Sequence, residues 1–420
     1  MKLGKIFNFF KRPLWQQVIV AAVLGIITGI LFDDKCENLK YLGMVFINLI
    51  KMVIIPLIVF SLISAITSLE SSEKASYIGV KSILSFLATS LIAVLIGLIS
   101  TLVLEPGKNV VIPYVSSTKA VNHDIKILDF LVGFIPENAI SSMAQGNIIQ
   151  VIVFSVLVGI AIVSIKNKCP TLINLANEGS LVIFRMIENI VKLAPIGVFG
   201  YMAWSIGTQG VEVLISLVKL VGIIIFCCIL QYILYGLYII IFAKMNPIPF
   251  FVKMLEPQVL AFSTSSSKAT LTTTMRVMHE EIGVSRNATN FVLPIGTSIN
   301  MNGGAIYLSA TCIFFAQAFG IELDMSKLMV LAFTCTIGSI GAAGIPSGIL
   351  LFLGMSLEAV GLPTELVVLV AGVDRILDMF TTMINVTGDA CITMIVDKTE
   401  NTMDLKKYYS KISFASQPSE

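Results

Sequence analysis

Long apolar runs separated by short polar joints occupy most of the 420-residue chain. A membrane-spanning helix needs about 20 mostly apolar residues. By that measure Leu14–Phe32, Tyr41–Thr67, Ile78–Leu104, Asn147–Ile165 and Val211–Phe242 read as spans. Leu172–Ile206 reads as another, broken near Pro195-Ile-Gly197. After Leu104 a polar loop of roughly 20 residues is punctuated by Pro106, Gly107 and Pro113. A short helix near Leu128–Phe134 then stops at Pro136. Nothing in these spans requires chemistry, apart from Thr89 and Ser90 in the third.

The pattern changes after Asn246. Two stretches, Pro247–Glu281 and Lys327–Val360, are too polar or too broken to cross a bilayer as single helices. The first holds Ser263-Thr264-Ser265-Ser266-Ser267-Lys268 between two short arms, and the second holds Gly338 to Gly348, rich in small residues. Each predicts a re-entrant hairpin, helix in and helix out around a small-residue tip. Irregular backbone at membrane depth must be buried in protein or line a wet cavity. Paired broken segments of this kind point to a transport site, whereas two aqueous loops between interfacial helices would leave the pairing unexplained. Between the hairpins, Asn290–Phe319 is interrupted by Asn300-Met-Asn-Gly-Gly304. Either this is an unwound turn whose carbonyls ligate a hard cation, or it is a close-packing site of small residues.

The final span, Leu362–Val396, carries Asp374, Asp378, Thr381, Thr382, Asn385 and Asp389. At helical spacing these six polar groups share about a 100° sector. A charge near the bilayer centre costs at least about 2.5 kcal/mol, so three carboxylates on one face call for cations, substrate or water. An ion-pair network with Arg375 would account for one of them. Aspartyl-protease chemistry is the enzymatic alternative. Asp374 and Asp378 are one turn apart on one helix, however, where a dyad brings two elements face to face.

Composition agrees with the pattern: 56% of residues are hydrophobic, 13% are charged, and mean hydropathy is +0.91. These values place the chain in the membrane class. A net charge of +2 argues against a nucleic-acid partner. Seven cysteines without CxxC spacing and only two histidines give neither a disulfide framework nor a zinc site. Lys2, Lys5, Lys11 and Arg12 precede the first span and predict a cytoplasmic N-terminus in the plasma (inner) membrane.

These residues together resemble the dicarboxylate/amino acid:cation symporters over about Leu14 to Glu400. The resemblance is carried by Ser265-Ser-Ser267, Asn300-Met-Asn-Gly-Gly304, the Gly-Ile-Pro tip, Asp378…Asn385-Val-Thr-Gly-Asp389 and Leu49-Ile-Lys-Met-Val-Ile-Ile-Pro56. It implies an all-α membrane protein of eight transmembrane helices and two hairpins, built from inverted repeats and working as an elevator-type homotrimer. Residues 1–77 and 107–210 would form a static scaffold. Residues 78–106 and 211–405 would form the moving transport domain, with helix 7 at about 285–319 and helix 8 at about 362–398. Residues 406–420 would be a polar tail.

The resemblance also implies roles for individual residues. Asp378 would bind the substrate ammonium, while Thr382, Asn385 and the hairpin residues Ser265, Ser266 and Ser267 would surround the α-carboxylate. Met301, Gly304, Ile345, Gly348 and Thr381 would complete the pocket. Asp389 with carbonyls of Gly296, Asn300 and Asn385 would hold one Na+. Carbonyls of Ser298, Met301, Ser339, Ile340 and Ala342 would hold a second when the second hairpin closes as a gate.

Two departures from the family pattern matter. Members that carry acidic substrates have an arginine where this chain has Thr381 and a threonine where it has Gly304. Both changes remove partners of a side-chain carboxylate and enlarge that corner, so a small neutral amino acid is expected. An acidic amino acid or C4-dicarboxylate is the alternative, with Lys268 either supplying a displaced cation or snorkelling to water. The third cation site has Asn302 for an aspartate and Phe86 for a tyrosine, leaving Thr89 and Ser90. Fewer than three coupled Na+ are therefore expected, or H+ coupling through Asp374 or Asp389, with no other cofactor.

Overall fold

The structure, a computed structural model, describes residues 14–67, 73–110, 132–165, 168–342, 348–364 and 366–410. The elements of the first half are α1 (Leu14–Phe32), α2 (Lys40–Thr67), α3 (Glu73–Leu104), α4 (Ala139–Gln145), α5 (Ile148–Ser164), α6 (Pro170–Val191), α7 (Ala194–Gln209) and α8 (Glu212–Tyr238). The second half contributes α9 (Ile248–Lys253), α10 (Leu255–Thr264), α11 (Ser267–Val277), α12 (Arg286–Ile299), α13 (Asn302–Ala318), α14 (Met325–Gly341), α15 (Gly348–Ala359), α16 (Leu366–Ala371), α17 (Asp374–Thr399) and α18 (Leu405–Tyr409). Every described element is helical.

The helices gather into two packed groups. In the first, α1 lies along α7, and α2 packs on α5, α6 and α7. Gly25 and Gly29 of α1 permit that approach, because a Cβ at Gly25 would lie 2.6 Å from the Phe199 carbonyl. In the second group, α3 packs on α13, while α17 touches α8, α10, α12 and α13. Apolar residues on the outside of α1, α5 and α8, such as Leu24, Leu157 and Ile229, are exposed. That is the expected condition of a surface meeting lipid. By contrast α13 is buried over Asn302–Ala316, so it is surrounded by protein.

Several expected boundaries shift. The span ending at Val396 is not one helix: α16 stops at Ala371, and α17 restarts at Asp374 after a turn at Gly372-Val373. The break in the fifth span falls at Lys192-Leu193, ahead of Pro195, which then occupies the first turn of α7. Of the short helix near Leu128–Phe134, residues 128–131 lie outside the described residues. Both hairpins form, α10–α11 and α14–α15, although the tip of the second, residues 343–347, also lies outside them.

The segment read as a polar tail begins with a folded element, α18. Its first residues fold back, and Tyr408 of α18 is fully buried with its hydroxyl donating to the Asn246 carbonyl at 2.6 Å. The buried Lys253 ammonium donates to the carbonyls of Glu281, Lys407 and Tyr408 at 2.9, 2.6 and 3.0 Å. The base of the first hairpin is thereby clasped to residues 404–410, an arrangement that a charge run in sequence does not signal. Tyr408→Ala should cost about 3 kcal/mol of stability, as for other buried aromatic truncations. An unchanged melting temperature of the purified protein would show that the clasp contributes nothing.

Candidate substrate and cation site

The site is assembled where two helix breaks face one continuous helix. At the first hairpin tip α10 ends in Ser265, whose φ of 51° turns the chain. Ser266 then caps α11, accepting from the Ala269 N–H at 3.2 Å. Ser265 and Ser267 are both 1% exposed, and neither hydroxyl has a hydrogen-bond partner. The second break lies between α12 and α13, where Asn300 and Met301 leave helical geometry. The backbone of that segment is unwound, and its small residues also pack closely, as at Gly303.

Opposite both breaks runs α17, on which all six polar residues of the predicted face are buried. Asn385 reaches the second break: its Oδ1 accepts from the Gly303 N–H at 2.7 Å, and its Nδ2 contacts Met301 Sδ at 3.4 Å. A Cβ on Gly303 would overlap the Thr381 backbone, so only glycine lets α13 start this close to α17. Asp374 Oδ1 accepts from the Tyr307 hydroxyl at 2.9 Å. Asp378 Oδ1 lies 3.5 Å from the Thr382 hydroxyl, and Oδ2 lies 3.9 Å from Arg375 Nη1.

Asp389 is the deepest carboxylate, 1% exposed. Its Oδ1 accepts from Asn300 Nδ2 at 2.9 Å, whereas Oδ2 is buried without a partner. A buried carboxylate oxygen of this kind demands a cation or a proton. Gly296 adjoins it, since a Cβ there would stand 2.9 Å from Asp389 Oδ1. Asp389, Asn300 and Gly296, three of the four expected ligand-bearing residues, are thus neighbours. Of the second expected cation set, Ser339 and Ala342 are buried at the end of α14. Ser298 lines a separate cavity of about 250 Å3 between α2, α6, α11 and α12. Ile345 lies outside the described residues, and Gly348 begins α15.

The residues of the weakened third site are brought together by a saturated network. The Ser90 hydroxyl donates to Asn302 Oδ1 at 3.0 Å, Asn302 Nδ2 donates to the Tyr235 hydroxyl at 2.9 Å, and Tyr235 donates to the Ile384 carbonyl at 3.2 Å. Thr89 instead donates to Asn300 Oδ1 at 3.2 Å. An amide N–H therefore points where an aspartate would offer a second oxygen. Tyr235 escaped the sequence reading because it sits in an unbroken apolar run. Tyr232 and Tyr238 on the same helix carry the same hydroxyl, so sequence alone does not single it out.

Two expectations about the side-chain corner need correction. The space beside Gly304 is not enlarged, because a Cβ there would overlap Ile349 Cδ1 of α15. Isoleucine fills what the missing threonine leaves. Lys268 neither reaches the α17 carboxylates nor projects into open water, for its ammonium sits 3.3 Å above the Phe184 ring in the cavity with Ser298. Thr381 is 1% exposed, and its hydroxyl turns back to the Asp378 carbonyl at 3.3 Å.

The profile of the sodium:dicarboxylate symporter family matches residues 14–399. The chain is 32% identical to the proton/glutamate-aspartate symporter of Bacillus subtilis, covering 95% of this chain and 98% of that one. It is 33% identical to the C4-dicarboxylate transport protein of Rhodospirillum rubrum, covering 94% and 90%. It is 32% identical to the proton/sodium-glutamate symport protein of Bacillus caldotenax, covering 94% and 97%. The substrates in these names are acidic, which favours the acidic alternative over the neutral expectation.

Proposed function

This chain belongs to the sodium:dicarboxylate symporter family, and on that premise we propose that it couples uptake of a small neutral amino acid to Na+ or H+. The protein is a cation-coupled transporter of the membrane and not an enzyme. The observation that carries the neutral reading is the side-chain corner of the pocket. There Thr381 offers no charge and spends its hydroxyl on its own helix, while Ile349 closes the space beside Gly304. A substrate carboxylate placed there would be buried without a counter-charge, at a cost of several kcal/mol.

Asp378 supplies the anion for the substrate ammonium, and Asp389 with nearby carbonyls holds one coupling cation. The saturated Ser90–Asn302–Tyr235 network supports fewer than three Na+. Movement of the second helix group against the first, in a homotrimer with the N-terminus cytoplasmic, would carry the site across the membrane. The names of the relatives support a second reading, an acidic amino acid substrate. A C4-dicarboxylate fits less well, since it has no ammonium for Asp378.

Uptake into proteoliposomes separates these readings when labelled alanine, serine, aspartate and succinate are offered under a Na+ gradient and, separately, a pH gradient. Aspartate outcompeting every neutral amino acid would sink the neutral reading. Thr381→Arg should tighten aspartate binding by about tenfold to a hundredfold, the worth of a charged hydrogen bond. Gly304→Thr should add to this only where Ile349 is also shortened.

A further inference from the structure

The clasp that holds α18 closes against the end of a membrane span, and that position gives its outer surface a chemistry of its own. Glu212–Ala243 is long and apolar enough to cross a bilayer. Lys244 follows it directly, with a φ of 54° that turns the chain away. Basic side chains at such an end lie at headgroup depth. Just beyond it, the Asn246 carbonyl accepts from the Tyr408 hydroxyl at 2.6 Å. That bond brings α18, with Lys406 and Lys407, to the same level as Lys244.

The three lysines are exposed. Among the described residues none of their ammonium groups has an ion-pair or hydrogen-bond partner. Other cations nearby are answered: Arg276 meets Glu256 and Glu281 at 2.6 and 3.2 Å, and Lys81 meets Glu400 at 2.6 Å. Exposed apolar side chains accompany the unanswered lysines, namely Phe242 and Ile248 on either side of Lys244 and Tyr409 beside Lys407. The Tyr409 ring meets the buried Tyr408 ring edge-on at 4.9 Å. Free ammonium groups next to apolar and aromatic surface complement a molecule with an anionic head and an acyl tail. A soluble anion would answer the lysines alone and leave Phe242 and Ile248 without a partner.

We infer that Lys244, Lys406 and Lys407 form a docking surface for the headgroup of an anionic phospholipid, whose acyl chains lie along Phe242 and Ile248. A lipid seated there braces α18 against the end of α8. The Lys253 ammonium donates to the carbonyls of Lys407 and Tyr408, so the same lipid steadies the base of the first hairpin. The inference is independent of which substrate is carried.

The test titrates the purified full-length protein in detergent with phosphatidylglycerol, phosphatidylcholine or glycerol 1-phosphate. The readouts are melting temperature and lipid retained through gel filtration. Phosphatidylglycerol should raise the melting temperature and be retained, while the other two do neither. A lysine near an anionic membrane surface is worth about fivefold in binding, so the Lys244→Gln, Lys406→Gln, Lys407→Gln triple variant should bind phosphatidylglycerol about a hundredfold more weakly. Arginine at the same three positions should keep the response. Tyr408→Ala, which frees α18, should lose it with every lysine in place. Salt near 1 M, where the screening length falls to about 3 Å, should erase the wild-type response without any substitution. Equal responses to phosphatidylglycerol and phosphatidylcholine, or a glutamine triple variant that responds as the wild type does, would overturn the assignment. A full response to glycerol 1-phosphate would overturn it too, in favour of a soluble phosphate ligand.

Discussion

Asp378→Asn should abolish amino acid uptake while the purified protein still elutes as the wild type does. Asp378 is 5% exposed, and its Oδ2 lies 3.9 Å from Arg375 Nη1. On the reading proposed above, substrate binding would add a direct contact between Asp378 and an ammonium. Removing one partner of a buried charge pair costs about 3–5 kcal/mol, which corresponds to a loss of a hundredfold or more in affinity. Folding should suffer less, because Arg375 keeps its bond to the Thr264 carbonyl. The Asp378→Asn, Arg375→Gln double variant separates the two effects. It should be as inactive as the single variant but more stable, since no buried charge is left alone. Retention of substantial uptake by Asp378→Asn would remove the ammonium anchor from the scheme.

The second large effect is expected at Asp389. In the wild type Oδ2 is buried without a donor, so the folded protein should gain stability whenever a cation or proton neutralises it. Na+ should therefore raise the melting temperature of the wild type and tighten substrate binding in parallel, as linkage requires. Asp389→Asn removes the charge but keeps the shape, and should lose both responses. Its substrate affinity without Na+ should change by less than about tenfold. The measurement is a Na+ titration of melting temperature and of serine affinity, repeated across pH to expose a proton in place of Na+. A variant that responds to Na+ as the wild type does would place the coupling cation elsewhere.

Much of this was legible in the sequence where local physics leaves a mark. Carboxylates in an apolar run are expensive, so the α17 face stood out, and all six of its polar residues are buried together. The Ser265–Ser267 and Asn300–Gly304 segments stood out because small polar residues interrupt apolar helices, and both are breaks in the structure. What stayed hidden depends on which helices face one another. Ile349 reads as an ordinary hairpin residue, yet it fills the Gly304 corner from a different element. Tyr235 and Tyr307 look like core aromatics, although their hydroxyls serve Asn302 and Asp374. Arg375 was visible as a charge, but its bond to the Thr264 carbonyl became apparent only when the hairpin tip lay against it. Helical periodicity shows which residues share a face of one helix, and it is silent about the neighbour that face meets.

The clasp at the base of the first hairpin bears on the order of assembly. Lys253 and the carbonyls of residues 407 and 408 are separated by 154 and 155 positions along the chain. Contacts so distant in sequence form late, after the intervening helices have been made and threaded into the bilayer. Until residue 408 leaves the ribosome, the ammonium of Lys253 lacks two of its carbonyl acceptors, and the hairpin that bears Ser265, Ser266 and Ser267 stands on an open base. Completion of the binding site thus waits on completion of synthesis through that point. A nascent chain halted earlier would carry an unmet buried charge instead of a functioning pocket.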